Sequence, residues 1–489
     1  MAYPRYLASR CLTLVLALLG LNTGHAALAQ TPEPSIESVF AGAPFDKWLT
    51  EGPHQQVPWE VRMSARMLSI HQRLIARVEV QVSGPELVRR RADDHITLLV
   101  QVTDQAGATY RTYGVLELSN MKPEMNKSDI VFSWDAFALP GDYTVDVALY
   151  DKATGEHNLL RGKLRVDSLK NDPLKNDSLK NGPLQDPWQG LPSFEFWSPT
   201  REGLDYIFHS DVEGRLHLPL KTKRPVRLEV LADVSPSDIF QGSIAEYEQY
   251  LAVALPTFKA LSQISVSNGS LHLGTLDLIQ RQVRFMQDDG KDLDWPRLKP
   301  TLTATNGPGV VSVGGLKERA RQSPAFLREE LVRRIGAASN SESPRAEEGP
   351  QKEEGPQKKE GTQKEAGTQR KDPLQVFILI GSPMDLYAFP DLPPIELAEG
   401  NNSVLYYLQY QPLVQNRLTT ADFLNQRGFP GSSPRRRRDE NPMGMRGLNG
   451  AIGNVQKMLK PLKMHVFKVH SAEDVRHALA SVLAEISEM

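Results

Sequence analysis

A chain of 489 residues with 40% hydrophobic and 24% charged content is long enough for two or three cored domains, and its composition is that of an ordinary globular protein. A formal net charge of −2 gives no electrostatic reason for nucleic acid or an anionic membrane surface as a partner. The single cysteine, Cys11, excludes a disulfide scaffold, thiolate metal sites and cysteine catalysis once the leader around it is removed.

That leader spans residues 1–29. Arg5 and Arg10 precede an apolar run, Cys11 to Leu21, too short to span a bilayer, and Ala27-Leu28-Ala29 supplies a small-x-small cleavage site. The expected address is secreted or periplasmic, and soluble after cleavage. Residues 30–44 carry Pro, Ala, Ser and Gly and are expected as a flexible leader. Over 45–167 short alternating runs are separated by turn signals such as Asp104-Gln105-Ala106-Gly107 and Pro140-Gly141-Asp142, which predicts an antiparallel β-sandwich. The phrase Leu139-Pro140-Gly141-Asp142-Tyr143-Thr144-Val145 resembles the last hairpin of bacterial immunoglobulin-like modules. Residues 168–187 repeat a Leu-Lys-Asn unit with one Leu in five, which predicts an extended, mobile linker. Six aromatics between 188 and 225 are expected to pack strands that join the two halves.

Residues 188–489 are expected as one α/β domain with connecting strands, in which strands and helices alternate from Arg224. Val226 to Ala232 is a strand, and Ile244, Tyr247, Leu251, Leu255, Phe258 and Leu261 recur at helical spacing, with Pro256 expected to kink that helix. Ser270–Leu278 and Gln282–Met286 are expected as an antiparallel pair at a sheet edge. Val376 to Ile380 is continuously apolar, as in a strand covered on both faces. The low-complexity stretch 338–373 is expected as a disordered insertion. Ser471 caps a last helix whose apolar stripe runs Val475, Leu479, Val482, Ile486.

The first of these strands ends in Asp233-x-Ser235-x-Ser237, a carboxylate and two hydroxyls at the edge of a sheet where ligands gather. The pattern resembles the metal-ion-dependent adhesion site of von Willebrand factor A (VWA) domains, and the order of elements over 224–489 resembles that family too. With the upstream sandwich and the leader, the chain resembles the secreted bacterial VWFA-related group. The resemblance implies a fold class: an immunoglobulin-like β-sandwich followed by a Rossmann-like α/β VWA domain. It also implies a Mg²⁺ site built from Asp233, Ser235, Ser237, a Thr and a further Asp. Here Leu316 stands where the Thr is expected and Ser382 where the Asp is expected, with Thr301, Thr303, Thr305 or Asp385 as nearby substitutes. Loss of a ligand and a charge points to a degenerate site and no resident cofactor. No Walker loop, His-Glu-x-x-His or Gly-x-Ser-x-Gly appears, so no enzyme is expected. The expected function is an exported, non-enzymatic adhesion or scaffold protein that binds an unknown protein partner, not nucleic acid, and does not insert in a membrane. The alternatives are a Mg²⁺-dependent VWA adhesin and a carbohydrate-binding envelope protein acting through the sandwich.

Overall fold

The computed structural model describes residues 34–90, 95–120, 127–175, 186–197, 215–235, 244–288, 292–303, 313–340, 373–381, 392–397, 402–410 and 455–489. The leader 1–29 and nearly all of the insertion 338–373 lie outside them. Two short helices open the described chain, α1 (Ile36–Ala41) and α2 (Phe45–Glu51). Strands β1 (Trp59–Leu68), β2 (Leu74–Val82), β3 (His95–Thr103), β4 (Thr109–Glu117), β5 (Ile130–Ala138), β6 (Gly141–Asp151) and β7 (His157–Val166) follow, and β8 (Phe194–Phe196) comes later. They form two antiparallel four-stranded sheets, in the orders β1-β2-β5-β8 and β4-β3-β6-β7.

Alternation explains how the sheets meet. Val78, Val80 and Val82 of one sheet and Leu98, Val100, Val102, Val145 and Val147 of the other belong to one buried cluster. On the opposite face of the second sheet, Leu99, Ala148 and Leu159 are covered by Phe40, Phe45 and Trp48. The stretch 30–44, expected to be flexible, is therefore structured over its described part, 34–44. Ser35 caps α1 by accepting from the Ser38 N–H, and Phe40 is buried on the sheet.

The second half begins with β9 (Leu218–Leu220) and β10 (Val226–Asp233), then α3 (Ile244–Leu261), β11 (Ile264–Val266), β12 (Gly269–Asp277) and β13 (Gln282–Asp288). Helices α4 (Trp295–Thr303) and α5 (Val313–Asn340) precede β14 (Leu374–Gly381), β15 (Ser403–Tyr410), β16 (His465–Val469) and the last helix α6 (Ala472–Glu488). A six-stranded sheet runs in the order β13-β12-β10-β14-β15-β16. Its pairs are parallel except for β12 with β13. Gly269 has φ +142°, and a Cβ there would lie 1.8 Å from the Val226 carbonyl oxygen, so only glycine allows β12 to start beside β10.

The observed class differs from the expected immunoglobulin-like sandwich plus Rossmann-like α/β VWA domain. Strand outweighs helix among the described residues, and most sheets are antiparallel or mixed, so the protein is mostly β. A doubly wound domain needs helices across its crossovers. Most of the chain joining β14 to β15 and β15 to β16 lies outside the described residues, and its described part before β16 holds a short helical stretch at 455–459. The first unit also does not close within 45–167, because β8 completes its sheet by pairing with β5.

The expected linker 168–187 departs as well over its described part. Leu174 is fully buried, and Asp172 accepts from Arg476 of α6 at 2.7 and 2.6 Å. Trp188 lies under the same guanidinium at 5.0 Å, and its Nε1 donates to the Gln72 carbonyl at 2.9 Å. One Leu in five suffices when an ion pair anchors the segment beside it. Removing one partner of such a buried pair strands the other charge. Asp172→Ala is expected to cost about 3 kcal/mol or more in a urea melt, and Asp172→Leu with Arg476→Met to recover most of it.

Candidate functional site

Strand β10 lies inside the six-stranded sheet, and its side chains alternate between two cores. Leu228, Val230 and Ala232 belong to the large cluster shared with the first half, whereas Leu231 packs with Leu276, Phe377, Leu379 and Leu405. Glu229, Leu231 and Asp233 therefore share one face.

Asp233 ends the strand, is 2% exposed, and has a carboxylate shaped into a turn. Its Oδ1 accepts the Ser235 backbone N–H at 3.0 Å and the Ser235 hydroxyl. Ser235 Oγ in turn accepts from the N–H of Leu278 at 2.7 Å and of Ile279 at 3.4 Å. These two residues open the turn between β12 and β13, so Ser235 ties that turn to the end of β10. Beside it Asp277, fully buried, accepts the Gln280 N–H at 2.8 Å and Arg284 Nη2 at 2.9 Å. Arg284 also donates to Gln280 Oε1 at 2.6 Å. From the other side β14 comes close: a Cβ on Gly381 would lie 3.3 Å from the Asp233 Cβ.

Burial pushes the Asp233 carboxyl up to about 7; the hydrogen bonds from Ser235 pull the other way, and the neighbouring Asp277 charge adds to the rise. Burial likewise raises Asp277, against the pull of the Gln280 N–H and Arg284.

Of the residues expected at a cation site, Asp233 and Ser235 meet. Ser237, Ser382, Thr305 and Asp385 lie outside the described residues. Leu316, standing where a Thr ligand was expected, falls in the first turn of α5. Thr301 donates to the Leu298 carbonyl of its own helix at 2.7 Å. Of the expected donors, the described Ser235 hydroxyl is not arranged to ligate Mg²⁺. A hydroxyl has one hydrogen to give and two lone pairs. Ser235 gives the first to Asp233 and both others to Leu278 and Ile279, which leaves no lone pair for a cation. Asp277 and Arg284 escape the motif because their part depends on the register of the β12–β13 hairpin. The only trace in the sequence is an acid at the end of the neighbouring strand.

Among the described residues no helix is long and apolar enough to cross a membrane. No protein family and no curated protein matches this chain. Solved structures similar to parts of it include the following two. One is a Northeast Structural Genomics Consortium target, SoR45, at 12% identity over 24% of this chain and 94% of that chain, with a TM-score of 0.17. The other is the putative ApaA protein from Bordetella pertussis, at 8% identity over 23% of this chain and 96% of that one, with a TM-score of 0.16.

The raised Asp233 carboxyl has a consequence for stability. Between its ordinary value of 3.8 and about 7 the native state keeps a proton that the unfolded chain has lost. The native state then binds more protons, so stability falls as pH rises through that window. The slope approaches roughly 1.4 kcal/mol per pH unit for one such group. Urea melts from pH 5 to 8 are expected to show this decline in the natural chain and a flatter profile in Asp233→Asn, with Asp277 and Arg284 unchanged.

Proposed function

We propose that this is an exported, non-enzymatic interaction protein, an adhesion or scaffold component, that recognises a protein partner through the loops at the C-terminal ends of β10, β12 and β14, without a bound metal. The observation that carries this reading is how the polar groups there are used. Asp233, Ser235, Asp277 and Arg284 hydrogen-bond to one another and to the Leu278, Ile279 and Gln280 N–H groups. Groups committed in this way fix the shape of a loop. A shaped loop on a rigid sheet is the usual platform for binding.

The turn they fix ends at Arg281, which is exposed and held at φ 54°. A left-handed residue on a braced turn has its backbone already in place, so binding at Arg281 orders only its side chain. Export rests on the leader pattern at 1–29.

The test is capture from the native envelope with the full mature chain as bait. One protein partner is expected to be recovered with and without EDTA. Arg281→Glu is expected to weaken it about tenfold, roughly 1.4 kcal/mol, at unchanged thermal midpoint. Capture that disappears with EDTA would favour a Mg²⁺-dependent adhesin instead, and binding to a glycan array would favour the carbohydrate reading. Recovery of no partner would remove the interaction reading altogether.

A further inference from the structure

The Asp-x-Ser-x-Ser resemblance implies a cation at the end of β10, and the hydrogen bonds there leave it no place. We infer that Arg284 is the built-in counter-ion of this corner, and that Ser235 is a positioning residue which staples the β12–β13 turn in the place where a ligating hydroxyl would otherwise stand.

Two observations carry the inference independently. The first is the state of Ser235, which is fully buried and whose three hydrogen-bonding capacities go to Asp233, Leu278 and Ile279. A hydroxyl in that position can ligate only by releasing the turn. The second is the charge inventory. Asp233 and Asp277 end adjacent parallel strands, both buried, with Asp233 level with Leu276 in the β10–β12 register. Asp277, whose carboxylate faces this buried corner, calls for a positive charge, which a divalent ion would supply in a competent site. Here Arg284 supplies it from β13, donating to Asp277 Oδ2 through Nη2 at 2.9 Å and Nε at 3.3 Å. Its side chain is 15% exposed, so water screens the pair little. Gln280 closes the ring by accepting from Arg284 and donating its N–H to Asp277. A covalently tethered cation is always present, so the turn has one shape whatever the ionic composition around it.

The inference deepens the proposed recognition rim by naming what shapes it, and its test reads cation binding and stability rather than partner capture, so each can fail without the other. Full-length protein is titrated with Mn²⁺ and followed by electron paramagnetic resonance, alongside thermal melts with Mg²⁺ or Ca²⁺ at millimolar concentration. No stoichiometric Mn²⁺ at this corner and no shift of the midpoint are expected. Stoichiometric Mn²⁺ that is lost in Asp233→Asn would overturn the inference. Arg284→Gln is expected to lower the midpoint by several degrees, and adding Asp277→Asn to recover at least half of that loss, because the charge needing Arg284 is then gone. If Asp277→Asn brings no recovery, Arg284 is not the counter-ion.

Discussion

Strand β10 carries two buried acids on one face, and much of the second half of the molecule is arranged around neutralising them. Glu229, near the strand's start, is fully buried. Arg334 of α5 reaches it at 2.8 Å and Arg227 at 2.9 Å, while Gln375 of β14 lies at 3.5 Å. Arg334 is itself held by Glu330 one helical turn back, at 2.7 Å. An unpaired carboxylate in that position would cost several kcal/mol, of the order the handling of a buried ion demands. Helix α5 is therefore fixed to the sheet by charge as well as by Leu327, Leu331 and Ile335. At the other end of the strand Asp233 meets the same problem and solves it differently, with a hydroxyl, a backbone N–H and a carboxyl that burial holds partly protonated. The two solutions leave the strand's beginning rigidly cross-braced and its end shaped as a turn.

The two halves of the chain are joined by a comparable device. Asp172 and Arg476 lie some three hundred residues apart in sequence and pair in the interior, with Trp188 against the guanidinium. Gln72 adds a hydrogen bond from its side chain to the Ala472 carbonyl at 3.1 Å. The helix that closes the chain is thus tied to the turn between β1 and β2. The apolar cluster runs without a break from Val57 through Trp188 and Leu218 to Ile486. Movement of one half against the other would have to expose that cluster and separate a buried ion pair. The halves are better described as one packed body than as modules on a tether.

Local chemistry was readable where it is local. Val376 to Ile380 lies in a strand buried at every position, as a continuous apolar run requires. Ser471 caps α6 by accepting the Asp474 N–H at 3.1 Å, as the spacing predicts, while Asp474 accepts the N–H of His470, one residue before the cap, at 2.8 Å. What failed was anything decided by distant partners. The stretch Asp172 to Lys175 has the composition of a spacer, and only the location of Arg476 makes it a strap. Phe194 to Phe196 looks like a cluster of aromatics, and only the free side of β5 makes it a strand. Residues 34–44 look loose until Phe40 finds Leu99 and Leu159 beneath it. The expected fold class failed for the same reason: periodicity predicts elements, but the balance of strand and helix depends on which sheets they enter.

The motif at Asp233 shows why residue types alone do not decide a site. Asp, Ser and a second Ser within five residues are good oxygen ligands for a hard cation, and equally good at folding back on their own backbone. The two uses draw on the same lone pairs, so they compete atom by atom. At Ser235 the competition is settled by the next strand, because Leu278 and Ile279 bring two N–H groups to its oxygen in a buried turn. A buried N–H left without a partner costs about 1–3 kcal/mol, so drawing the Ser235 oxygen away from these groups is unfavourable. A cation that took the Ser235 oxygen would have to repay that cost. The hairpin register, which no local pattern encodes, is therefore what turns a ligating motif into a structural one.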